Sequence, residues 1–175
     1  TTAGTSNFRA GVNAGNSIAA VSTVNAGAFN TLVGDEAGTA INTGDGNTAL
    51  GYQNSIATTE GTYNSIVGSN AFINNISGNA NSGIGHAILY NNTADNNTAL
   101  GYYALFSNTS GTGGVAVGRD AGEFATTADN STFVGFQAGQ GITGVKLTGN
   151  SNTAVGKDAG LLLQGTANAN TLLGA

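Results

Sequence analysis

The stretch Asn97-Thr98-Ala99-Leu100-Gly101-Tyr102-Tyr103-Ala104 returns, with substitutions, along the whole chain. Asn47-Thr48-Ala49-Leu50-Gly51 and Asn152-Thr153-Ala154-Val155-Gly156 are near copies. Asn30-Thr31-Leu32-Val33-Gly34, Asn64-Ser65-Ile66-Val67-Gly68, Asn81-Ser82-Gly83-Ile84-Gly85 and Asn170-Thr171-Leu172-Leu173-Gly174 keep its outline. Gly114-Val115-Ala116-Val117-Gly118, Ser131-Thr132-Phe133-Val134-Gly135 and a degenerate Asn7-Phe8-Arg9-Ala10-Gly11 complete the set. Five of the nine intervals between repeat glycines are 17 residues, and the others are 16, 18, 21 and 23. A regular internal period outranks every other sequence signal.

Seventeen residues are too few for a helical repeat, which needs about 33 or more. They suit one circuit of a β-solenoid. Val, Ile, Leu and Thr before each glycine favour strand, and Gly and Asn clusters mark turns. No stretch carries a sustained 3.6-residue apolar period with caps. The expected fold is all-β: a parallel β-solenoid (β-roll or β-helix) of about ten 17-residue coils, each with two short strands. Residues 1–175 form one repeat domain. The chain opens on Thr1-Thr2 rather than Met and is read as a section of a longer fibre.

Each repeat position carries an expectation. The residue before the glycine is almost always aliphatic, which predicts an interior ladder of Val33, Leu50, Val67, Ile84, Leu100, Val117, Val134 and Val155. Thr or Ser two residues earlier shares its face, by the two-residue period of a strand. The glycine marks a bend with positive φ or a close approach of the next coil. Ala three residues later (Ala14, Ala37, Ala71, Ala104, Ala121, Ala138, Ala159) predicts a tight corner. The leading Asn suits a turn and can stack its amides into a ladder. Ile41, Ile56, Ile73, Leu105, Phe124, Ile142 and Leu162 are assigned to the second strand. The long intervals predict surface loops near Ser22 to Gly27 and Gly141 to Gly149. The middle strand position holds Leu32, Ile66, Phe133 and Leu172, so both strand faces are apolar. A strand apolar on both faces is covered on both, and another copy of the chain is the expected cover.

Composition narrows the function. Charged residues are 7% of the chain, with 29 Gly and no Pro, Cys, Met or Trp. Collagen is excluded by the missing Pro and the absence of Gly at every third position. No apolar run approaches the ~20 residues of a membrane helix. A net charge of −5 with four basic residues leaves nothing to neutralise a phosphate track, so no nucleic-acid partner is expected. A hydrophobic share of 39%, placed periodically, argues against a disordered linker. His86 is the single histidine, which rules out a zinc cluster or a Ser-His-Asp set within one chain. The segments 113–119 and 151–157 only faintly resemble phosphate loops, since Asp120 and Asp158 stand where Ser or Thr belongs. The acids of Asp45-Gly46-Asn47, Asp95-Asn96-Asn97 and Asp129-Asn130-Ser131 lack a calcium-roll spacing and read as Asx turn chemistry. No cofactor, metal or enzymatic activity is expected.

The Asn-Thr-Ala-Leu-Gly-Tyr phrase at 47–52 and 97–102 resembles repeats of bacteriophage tail-fibre proteins and bacterial surface fibres. It is also similar to the Ser-Val-Ala-Ile-Gly repeats in the heads of trimeric autotransporter adhesins. That resemblance implies a homotrimeric, non-enzymatic shaft or adhesive stalk outside the cell, on a virion tail or a cell surface. The adhesin-head period is shorter than 17. Two other classes are weighed: an ice-binding solenoid, which needs a flat, regular array with at least two water-facing Thr columns where this chain has one, and a polysaccharide-cleaving β-helix, which needs clustered carboxylates that the sequence does not supply. The column just after the repeat glycine reads Val12, Asp35, Tyr52, Ser69, His86, Tyr102, Arg119, Phe136 and Lys157. It is the most varied column, and Tyr52, His86, Tyr102 and Phe136 are its candidate contacts with host-surface carbohydrate.

Overall fold

A computed structural model of the chain describes residues 6–18 and 27–174. Ten three-residue strands stack in parallel: β1 (Phe8–Ala10), β2 (Thr31–Val33), β3 (Thr48–Leu50), β4 (Ser65–Val67), β5 (Ser82–Ile84), β6 (Thr98–Leu100), β7 (Val115–Val117), β8 (Thr132–Val134), β9 (Thr153–Val155) and β10 (Thr171–Leu173). They form one sheet in sequence order, and every pairing keeps repeat register, as in Thr48↔Ser65 and Leu50↔Val67. The chain is therefore an all-β parallel β-solenoid. Its complete described circuits run from β2 to β10 and number about eight, rather than ten.

Each coil contributes one strand, where two were expected. The backbone after the glycine explains the difference. In the third coil Gly51, Gln53 and Ser55 all have positive φ, at 133°, 49° and 56°. Gly85, Ala87 and Leu89 repeat this at 146°, 51° and 48°. A left-handed residue at every second position cannot make a strand. Coil-to-coil hydrogen bonds continue regardless: the Gln53 N–H donates to Asp35 O at 2.9 Å and the Ser55 N–H to Ala71 O at 3.0 Å. Of the residues assigned to a second strand, Ile41, Ile73 and Leu105 are buried from these turns, while Ile142 and Leu162 are exposed.

The interior is lined from the other strand face than expected. Leu32, Ala49, Ile66, Ala99, Ala116, Phe133 and Ala154, the middle strand residues, are buried. Val33, Leu50, Val67, Ile84, Leu100, Val117, Val134 and Val155 lie on the outer face of the coil; Leu50 is 42% exposed and Ile84 57%. A three-residue strand puts one side chain on one face and two on the other. The narrow coil interior, already holding Ala37, Ala71, Phe72, Ile88, Leu89, Ala104, Leu105, Ala121 and Ala138, takes the single one. Close packing then demands that sizes be matched across the interior. The expected tight Ala corner is present on this far wall.

Two coils show the matching directly. Where Ile88 replaces the usual corner Ala, the strand offers Gly83, and a Cβ there would overlap Ile88 Cδ1. Where Phe133 fills the strand position, the facing residues are Gly122 and Gly139, whose added Cβ atoms would strike its ring. Gly83→Ala is expected to cost about 2 kcal/mol and Ile88→Ala about 3 kcal/mol. The double variant should cost at least about 1 kcal/mol less than their sum, because the new methyl enters the space the isoleucine vacates. Denaturant unfolding of the four proteins measures this, and strict additivity would refute the pairing.

The repeat glycines behave as their position predicts. At Gly34, Gly101 and Gly156 φ is 128°, 129° and 117°. An added Cβ at Gly101 would sit 2.6 Å from the carbonyl oxygen of Gly118 in the next coil. The leading asparagines form the expected ladder, and it is buried. The Asn47, Asn64, Asn81 and Asn97 backbone N–H groups donate to Oδ1 of Asn30, Asn47, Asn64 and Asn81 at 2.8, 3.0, 3.0 and 2.9 Å. Each Nδ2 donates to a carbonyl in the next coil, as Asn47 to Gly61 O at 2.7 Å and Asn64 to Gly78 O at 2.8 Å. Gly114 and Ser131 interrupt the amide series, and Ser131 Oγ accepts from the Asn152 N–H at 3.1 Å. Residues 142–146 make an exposed loop, as expected, before Leu147 returns to the core. The other expected loop, at Ser22 and its neighbours, lies outside the described residues.

Candidate functional site

The residue after each repeat glycine stands where the chain leaves the strand, so its side chain projects from a corner of the coil. Tyr52, His86, Tyr102, Arg119, Phe136 and Lys157 are all exposed there. Successive coils bring such residues within about 5 Å of one another. His86 and Tyr102 stack with centroids 5.4 Å apart and planes 10° from parallel. The Arg119 guanidinium carbon lies 5.7 Å from the Tyr102 centroid and 5.7 Å from that of Phe136. One continuous pile of flat groups results, His86–Tyr102–Arg119–Phe136, held by ring stacking and cation–π attraction. Tyr52 is two coils from His86, with Ser69 between, and takes no part in it.

Sequence reasoning along one column missed half of the cluster. Tyr103 stacks on Tyr102 at 4.0 Å, Phe106 meets Tyr103 at 4.7 Å, and Tyr90 stacks on Phe106 at 4.9 Å. Tyr103 is two positions after a repeat glycine, and Tyr90 and Phe106 are five after theirs. Aligning these two further columns at the same period would have revealed a patch three columns wide.

The arrangement changes what the rings offer. Because the faces of His86 and Tyr102 turn along the axis toward each other and Arg119 covers Tyr102, the patch presents mainly ring edges and polar rims to solvent. A ligand meets the imidazole nitrogens, the phenol oxygens of Tyr90, Tyr102 and Tyr103 and a guanidinium rather than an open ring face. The Arg119 Nε is 3.2 Å from Asp120 Oδ2, with the Asp120 side chain largely buried. Gln140 Nε2 donates to Glu123 Oε2 at 2.7 Å. Burial pushes the Glu123 carboxyl above its ordinary value, partly offset by the Gln140 bond. A hydrogen bond with Tyr102, then burial, then the charges of Glu123 and Asp120 keep the Tyr103 phenol protonated beyond its usual range. The patch combines phenol and guanidinium donors with the side-chain oxygens of Asp120, Glu123 and Gln140 as acceptors, a set suited to hydroxyl-rich ligands.

No protein family, curated protein or solved structure matches this chain.

The remaining polar residues have structural work. Asp45, Asp95 and Asp129 each accept a backbone N–H from the preceding coil, from Ala28, Asn79 and Thr112 at 2.6, 2.7 and 2.8 Å. Their oxygens bind coil to coil, where the sequence predicted local turns. Among the described residues no group of three or more His, Cys, Asp or Glu side chains is placed to hold a metal ion.

Proposed function

We propose that this chain is a section of a structural, adhesive fibre outside the cell, a non-enzymatic shaft whose aromatic corner touches sugars of a host surface. The supporting observation is the hydrogen bonding along the axis. The strand ladder, the buried Asn ladder, the turn backbone and the Asp-to-backbone bonds all run from coil to coil. Nine spacings of about 4.8 Å make a rod about 43 Å long, braced on every side. Assembly as a homotrimer, and a place on a virion tail or cell surface, rest on the resemblance of the Asn-Thr-Ala-Leu-Gly-Tyr repeat.

The test is glycan-array binding of the whole chain beside a His86→Ala, Tyr102→Ala double variant and a Tyr52→Ala variant. The parent is expected to bind, the double variant to lose at least about tenfold in affinity, and Tyr52→Ala to change less. Equal binding by parent and double variant, or none by the parent, would remove the adhesive role.

A second function rests on the outward turn of the strands. One Thr and Ser column faces water beside the aliphatic column, where an ice-binding solenoid needs at least two such Thr columns. Thermal hysteresis in a solution of the chain would establish ice binding and displace the fibre.

A further inference from the structure

We infer that copies of this chain pack together through the outer face of the ten-strand ladder. This rests on the fibre function proposed above and says where two of its subunits meet; one face mating with its like closes at two copies, so the threefold assembly that the resemblance implies would need a further contact. The outer face carries two columns: one of Thr or Ser apart from Phe8 and Val115, and one of Val, Leu or Ile apart from Ala10. Leu50, Val67, Ile84, Leu100, Val117 and Val134 run through its centre without a break, and no residue of either column is charged. Leu100 is 45% exposed and Leu173, at one end, 78%.

Three features point to a second copy as the occupant. First, the face has the right size. It is about 43 Å long and, with two columns about 7 Å apart plus side-chain breadth, about 12 Å wide, or roughly 500 Å². Two such faces in contact remove roughly 1,000 Å² from water, the lower bound for a specific interface. About half of that area is the unbroken aliphatic column, with the hydroxyl column beside it supplying groups that a second copy can hydrogen-bond. Second, the face is self-complementary. Side chains repeat at the coil spacing, so a second identical ladder, displaced by half a spacing, sets its ridges in the gaps of the first. A shallow depression of about 170 Å³, lined by Ser82, Ile84, Thr98 and Leu100 and floored by Gly83 and Ala99, offers one such gap. Third, nothing guards the face. A charged side chain in either column would be costly to bury against a second copy, and neither column holds one; the register is unbroken over nine pairings, so the columns run straight. A mobile or charged partner would leave a mark in charge or irregularity, and neither column has one.

The experiment compares the whole chain with a Leu50→Lys, Ile84→Lys, Leu100→Lys variant by light scattering and circular dichroism. Ser110→Lys, on another wall of the coil, is the control. The parent and the control are expected to be one defined oligomer, and the triple variant a monomer with the parent's β spectrum. Should the triple variant not fold, Ile84→Cys replaces it. The chain has no native Cys, so an oxidised dimer forms only where copies meet at that position, and Ser110→Cys should form none. A monomeric parent, an oligomer that survives the three lysines, or equal cross-linking from both cysteine positions would overturn the inference. A monomeric parent with thermal hysteresis would assign the face to ice. A monomeric rod that still binds sugars would leave the fibre function standing without this interface, so the two failures are distinguishable.

Discussion

Gly101→Ala is expected to cost about 4 kcal/mol or more, combining left-handed strain with forced overlap. That is a large share of the roughly 5–15 kcal/mol by which domains are stable, and melting should fall by roughly 10 °C. The methyl would lie 2.6 Å from the Gly118 carbonyl oxygen at a φ of 129°. Backbone on both sides cannot give way without lengthening the ladder. Two other glycines separate the causes. Gly165 has a φ of 58° and nothing within 4 Å of an added Cβ, so Gly165→Ala should cost only the left-handed penalty of about 1 kcal/mol. Gly144 also has open space and no positive φ, and Gly144→Ala should be neutral or stabilising by up to about 0.5 kcal/mol. Thermal unfolding of the three variants checks the order. Equal losses at Gly101 and Gly165 would mean that contact between coils contributes nothing.

Asn64→Ala is expected to lose about 3 kcal/mol. Asn64 Oδ1 accepts the Asn81 N–H at 3.0 Å, and Nδ2 donates to Gly78 O at 2.8 Å, all in a buried setting. Truncation strands a donor and weakens the pairing of an acceptor where water cannot replace the amide, and each orphan costs about 1–3 kcal/mol. Asn74 offers the comparison. Its Nδ2 bonds Asn91 Oδ1 at 2.8 Å on the exposed surface, and Asn74→Ala should fall within about 0.5 kcal/mol of the parent. Chemical denaturation with an unchanged m-value reads both. Similar losses at the two positions would show that burial of the ladder is not what makes it matter.

How much was legible in advance follows the same division. The 17-residue period gave the parallel solenoid, the glycine bend, the small Ala corner and the Asn ladder. Each of these is a demand that one position makes on itself: Gly101 must be Gly whatever lies elsewhere in its coil. The exposed corner carrying His86, Tyr102 and Phe136 was legible as a column of unusual variety. Tyr90, Tyr103 and Phe106 were not, because their proximity depends on how far the turn folds back after the glycine. Tyr52 belonged to the same column yet stands apart, since Ser69 breaks the stack.

Which face of the strands turns inward is what sequence alone could not decide. Uniformity of the Val33 to Val155 column suggested an interior, but an interior shows itself by sizes that vary together, as Gly83 with Ile88 and Phe133 with Gly122 and Gly139. Those partners are five to eleven residues apart along the chain and meet only across the coil. The sequence determined the repeat, its hydrogen-bonded backbone and its apolar strand faces, because these are local requirements renewed every 17 residues. Tertiary structure decided which face is enclosed, because a narrow coil admits one side chain per three-residue strand and leaves the other two outside.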